Sequence, residues 1–184
     1  MNRYIMGALC ALALCFGAIS AQAASDNPIE QIVNSTSRGV AIDGFDPVAY
    51  FTEGKATKGD PAYRANHLGR VWLFATAENR DLFTSDPVAY APQNNGWCTW
   101  AVAHDYAAEA DFIDGWFIDD GKLYMTWSAE VKDRLFKDKD NLLKQSASNW
   151  DTVHDGLRDG TGKFFTHSMR PELGFQHPQQ LPES

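Results

Sequence analysis

Trp116-Phe117-Ile118-Asp119-Asp120-Gly121-Lys122-Leu123-Tyr124-Met125 is the stretch that decides the fold class. Two short runs rich in aromatic and branched side chains flank an Asp-Gly pair. Asp-Gly suits the tight two-residue turn whose central residues need positive φ, so the segment predicts an antiparallel β-hairpin. Upstream, Val71-Trp72-Leu73-Phe74 is a bulky run of strand length after a Gly69-Arg70 turn. Thr76 then offers a cap for a helix over 77–84 that turns Leu82 and Phe83 inward. Downstream, Ser128 starts a second helix in which Val131, Leu135 and Phe136 recur at helical spacing. A third, over about 140–150, points Leu142, Leu143 and Ala147 inward. Strands and helices interleave but stay short, and no long crossover helix separates strand pairs. This predicts an α+β fold, a small antiparallel sheet packed with short helices. The expected core is Trp72, Phe74, Leu82, Phe83, Trp116, Ile118, Leu123, Leu135 and Phe136.

Asp46-Pro47-Val48-Ala49-Tyr50-Phe51 reads as a helix start, with Asp as N-cap and Pro at the first helical position. Gly54 supplies the stop. The pentapeptide returns as Asp86-Pro87-Val88-Ala89-Tyr90. The flanks, 41–45 against 81–85, do not match, so the repeat is one helix-start chemistry used twice rather than a duplicated fold. Asn94-Asn95-Gly96 is a further tight-turn signal.

The chain has 184 residues, 44% apolar and 22% charged, close to globular averages, with 12% aromatic. This excludes disordered, collagen-like and disulfide-dense chains. Lys and Arg number 16 against 24 Asp and Glu, a net charge of −8. That balance argues against nucleic acid and anionic membrane surfaces as partners. Arg3, an apolar run ending at Ile19 and Ala21-Gln22-Ala23 have the layout of a signal peptide. The run falls short of the ~20 residues a membrane span needs. The expectation is a signal over 1–23 cut after Ala23, export to the periplasm or beyond, and no stable membrane span afterwards. Cleavage removes Cys10 and Cys15 and leaves Cys98 as a lone thiol in an oxidising compartment. Residues 24–39 form a polar lead-in, 40–154 the domain, and 155–184 a partly ordered C-terminal extension.

Several of these segments resemble the secreted YHS domain-containing (seleno)protein family. They are Ala41 through Phe51, Trp72 through Ala75, Ala77 through Phe83, Asp86-Pro87 through Gln93, Gly96-Trp97-Cys98, and Asp119 through Tyr124. The similarity spans about residues 40–150 with the motifs in order. It implies a YHS-type domain, a small metal- or redox-associated module. In the metal-associated branch, cysteines occupy positions that match Ala49, Ala75 and Asn79 here. None of these is a thiolate ligand, so the multi-cysteine site is absent. The resemblance also implies that selenocysteine in some members aligns with Cys98.

Cys98 is therefore the leading candidate site residue, set against the alternative of a buried, inert thiol. It follows a glycine turn where a helix could begin, and a helix N-terminus raises the thiolate fraction. Trp97 and Trp100 flank it. His104, six residues on, faces away on a helix and stands too far off on a strand. A partner must come from elsewhere: His67, or Asp46 and Tyr50 of the first motif. Asp46 and Asp86 are better explained as caps, Tyr50 and Tyr90 as core aromatics, and His67 as a solvent-facing turn residue. His154, His167 and His177 are too scattered for a tight site. Glu109, Asp111, Asp114, Asp119 and Asp120 read as a solvated loop without EF-hand spacing. No G-x-S-x-G, H-E-x-x-H, phosphate loop or C-x-x-C is present, so no familiar enzyme class is indicated. Three functions remain open. The first is a soft-metal binding module holding Cu(I) through Cys98, with His67 as a second candidate ligand. The second is thiol redox chemistry at Cys98 with an outside reductant. The third is a non-catalytic interaction domain that docks a periplasmic protein.

Overall fold

A computed structural model of the chain describes residues 33–34 and 39–166. The expected signal over 1–23, Cys10, Cys15, His167 and His177 lie outside the described residues. In chain order the elements are α1 (Ala49–Thr52), β1 (Asp60–His67), β2 (Arg70–Phe74), α2 (Ala77–Ser85), α3 (Pro87–Tyr90), α4 (Thr99–Ala103), β3 (Ala107–Ala108), β4 (Trp116–Asp119), β5 (Lys122–Met125), α5 (Ala129–Phe136), α6 (Lys139–Asp159) and β6 (Phe164–Phe165). The fold is α+β: short helices pack with small antiparallel sheets, β1 on β2 and β4 on β5. A two-residue parallel pair, β3 with β6, is added to these. Among the described residues no helix is long and apolar enough to cross a membrane.

The local signals operate as the residues predict. Asp120 and Gly121 take φ of 46° and 68°, and Ile118 pairs with Leu123 across the turn. The Thr76 side chain accepts from the Asn79 N–H, the Asp86 side chain from Ala89 and the Ser128 side chain from Val131. Asn94, Asn95 and Gly96 all have positive φ in one tight turn.

Other expectations are corrected. The strand before the Gly69 turn was not foreseen. β1 carries Pro61 and a register shift between Asp60 and Arg64, and its inward residues Tyr63, Ala65 and His67 are only half-buried, so its pattern is faint. The third helix does not stop near 150. It runs on to Asp159, where Gly160 caps it in the left-handed conformation. The position expected to end the domain, 154, thus falls inside α6, and β6 beyond it pairs with β3. Gly156 reads as helix punctuation but serves packing instead: a Cβ there would meet the Gly162 Cα at 2.9 Å. Ser146 takes the inward position expected of Ala147, its Oγ accepting from the Asn94 amide at 2.7 Å.

The central cluster joins Ile42, Val48, Tyr50, Trp72, Phe74, Phe83, Leu123 and Met125, and Leu135 is buried beside Phe117 and Leu142. Trp116 packs against the central cluster while half-buried. Leu82, Ile118 and Phe136 are exposed rather than core. Phe83 holds its expected inward place without Leu82, Phe117 takes the inward place expected of Ile118, and Phe136 rests edge-on against Phe117 at 5.1 Å.

Candidate functional site

Cys98 is the N-cap residue of α4, as the glycine turn before it suggests. Its backbone N–H donates to the Ala108 carbonyl at 2.9 Å, and its carbonyl accepts from Val102 at 3.0 Å. Its side chain is sealed at 1% exposure among Ala101, Tyr106, Ala108, Trp127 and Val131, with Trp100 and Phe165 packed outside. The Trp127 backbone N–H donates to Sγ at 3.2 Å. Two influences compete on the thiol. Burial disfavours the anion; hydrogen bonding from the Ala101, Trp127 and Trp100 backbone favours it. Burial is the larger, pushing the thiol up to about 11. α4 spans five residues, too short for much of a macrodipole. At pH 7 the thiol is held in its protonated form.

Two hydroxyls nearby complete this buried region. Tyr106 Oη and Thr99 Oγ1 are buried without a hydrogen-bond partner. The Tyr106 phenol is raised by burial and, secondly, by the charge Cys98 would carry, so the two groups sense each other. Tyr106 also lines a cleft of about 280 Å³ against α6 and Gly162.

His67 sits elsewhere. It is the last residue of β1 and not a solvent-facing turn residue. Its ring meets Phe83 edge-on at 5.6 Å and tilts toward Trp72 at 6.2 Å, while its carbonyl accepts from the Trp72 indole N–H. Burial lowers its pKa and so favours the neutral imidazole. The apolar cluster around Cys98 includes neither His67 nor its ring partners. Among the described residues no three of His, Cys, Asp and Glu form a group that could hold a metal ion. His104 stacks on Trp100 at 4.6 Å, with Nδ1 2.7 Å from the Trp100 carbonyl oxygen.

Asp46 is not the N-cap residue of α1, which starts at Ala49 with Val48 as N-cap; it anchors the turn ahead of the helix from three residues upstream of its first position. One carboxylate oxygen accepts from the Val48 and Ala49 N–H groups at 2.8 and 3.3 Å. The other accepts from the Ala75 N–H at 2.8 Å and the Asn79 amide at 2.7 Å. The Ala49 and Ala75 N–H groups and the Asn79 amide thus converge on one buried carboxylate. Tyr50 is a core aromatic whose hydroxyl donates to the Phe112 carbonyl at 2.7 Å. Of the acidic loop, Asp111 caps its own turn through Ile113 and Asp114, and Asp119 is paired with Lys139.

A second feature escapes sequence reasoning. A cleft of about 450 Å³ opens between the 88–95 stretch, the β4–β5 hairpin and α6, with His67 on its wall. Val88, Asn94, Tyr124, Leu143 and Trp150 also line it. It is assembled from four separated stretches, so no local motif marks it. The exposed Val88 of the second Asp-Pro-Val-Ala-Tyr copy is the nearest thing to a signal, and it shows only after folding. Comparison with known proteins yields no matching family model, no matching curated protein and no matching solved structure.

Proposed function

We propose that the chain is an exported, periplasmic or secreted, binding module of the YHS type that holds a small ligand in the cleft beside His67. The cleft carries this reading. Its volume lies in the ~300–1,000 Å³ range of small-molecule sites, and its wall is largely apolar and aromatic with a few placed polar groups. Positions 49, 75 and 79 converge on Asp46, a hydrogen-bonded carboxylate where the YHS resemblance implies thiols in metal-associated members. The test is native mass spectrometry of the protein recovered from the compartment it is exported to. A bound small molecule should survive Cys98→Ser and be lost on Ala147→Trp, which fills the cleft from its exposed rim. An adduct indifferent to Ala147→Trp, or no adduct at all, counts against it.

A second reading keeps the chemistry on Cys98, as a soft-metal site for Cu(I) or a redox thiol. The unpartnered Tyr106 and Thr99 hydroxyls favour it, because buried polar atoms without partners are uncommon and concentrate where something else binds. Cu(I) titration of wild type and Cys98→Ser decides it. Indistinguishable curves remove the metal version, and an unoxidised Cys98 in the native mass removes the redox version.

A further inference from the structure

We propose that the cleft takes a small organic monoanion: an aromatic or short aliphatic body ending in one carboxylate or sulfonate. This rests on the cleft being the binding site. The chain is strongly acidic, yet none of the described residues lining the cleft is Asp or Glu. Lys122 is the one Lys or Arg among them. It opens β5, its side chain is exposed, and no ion pair or hydrogen bond occupies its ammonium among the described residues. Asp119, opposite it in the hairpin, is already paired with Lys139. The cleft wall therefore offers one unspent positive charge and no carboxylate of its own; Asp119 and Asp120 lie close enough to act on Tyr124, and Lys139 offsets the first.

The rest of the lining suits the body of such a molecule. Val88, 80% exposed, faces the cleft with Leu143 and the Trp150 ring. Burying such surface drives association of an apolar group. The neutral His67 ring adds a polar edge without adding charge. A cation finds no carboxylate on the wall itself, and a polyanion would exceed the single lysine. The Asn94 amide on the wall is already bonded to Ser146.

Two fluorescent probes share an aromatic body and differ in charge: anilinonaphthalene sulfonate and neutral phenylnaphthylamine. Both are titrated into purified wild type, Lys122→Gln, Ala147→Trp and Val88→Trp, with thermal unfolding confirming that each variant is folded. The expected result is sulfonate binding weakened roughly fivefold by Lys122→Gln, the scale of one partly exposed ion pair, with neutral-probe binding unchanged. Both probes should lose at least about tenfold in whichever tryptophan variant retains the wild-type melting temperature. If Lys122→Gln leaves sulfonate binding unchanged while the tryptophan variants still block both probes, the cleft stands and the anion preference is overturned. If a folded tryptophan variant binds both probes as wild type does, or wild type binds neither, the cleft itself is not the site and both proposals fall.

Discussion

Asp46-Pro47-Val48-Ala49-Tyr50 and Asp86-Pro87-Val88-Ala89-Tyr90 are the same five residues in opposite surroundings. In the first copy Asp46, Val48 and Ala49 are fully buried and Tyr50 is 1% exposed. In the second Asp86 and Ala89 are exposed and Val88 is 80% exposed. One contact is common to both: each Asp side chain accepts from the N–H three residues on, though only Asp86 is the N-cap residue of its helix. Only Asp46 spends its second oxygen on distant partners, Ala75 and Asn79. The copies even touch, since Phe51 after the first meets Tyr90 of the second edge-on at 5.5 Å. The pentapeptide thus specifies a helix start and nothing further. Burial comes from what the rest of the chain places opposite it, and the copy left open lends its valine to the cleft wall.

Paired substitutions can break this contrast, and the largest effect belongs to the tyrosines. Tyr50→Ala removes a buried ring, its edge contact with Trp116 and its bond to Phe112. It should cost about 3–5 kcal/mol, against about 1 kcal/mol for the half-buried Tyr90→Ala, measured by urea unfolding. Asp46→Ala strands buried donors at positions 48, 49 and 79 and a half-buried one at 75, and should cost about 3 kcal/mol. Asp86→Ala loses one exposed cap and should cost about 1 kcal/mol. Equal losses for the two aspartates would mean that the long-range bonds of Asp46 contribute little. Val48→Ala should cost about 2 kcal/mol, while Val88→Ala stays within about 0.5 kcal/mol of wild type. A Val88→Ala loss as large as that of Val48→Ala would place the second copy in the core as well.

The same division explains what could be read beforehand. Thr76, Asp86, Ser128 and the Asp120-Gly121 turn were legible because each acts on residues within three or four positions. The α+β class followed from them. β1 was not, because Pro61 and the small, polar residues around Tyr63 blur its alternation. The end of α6 was hidden because Gly156 signals a break locally and earns its place only by touching Gly162. At the candidate site, the position of Cys98 at the head of a helix was legible. Its sealed state was not, since Trp127, Val131 and Phe165 arrive from well down the chain. His67 looked like a turn residue because Phe83, which covers it, belongs to a different element.

Cys98 gives the most direct test, because the account places binding in the cleft and holds the thiol protonated inside the core. Folding favours the protonated form of a thiol held at about 11, so native stability should fall as pH rises from about 8.5, the free-thiol value, toward that point. The measurement is the rate of Cys98 alkylation by iodoacetamide in the folded protein across pH 6–10. The account predicts slow labelling with no inflection below about pH 10. Rapid labelling with an inflection at or below about 8.5 would reveal an accessible, activated thiolate, contradict the account, and return the chemistry to Cys98.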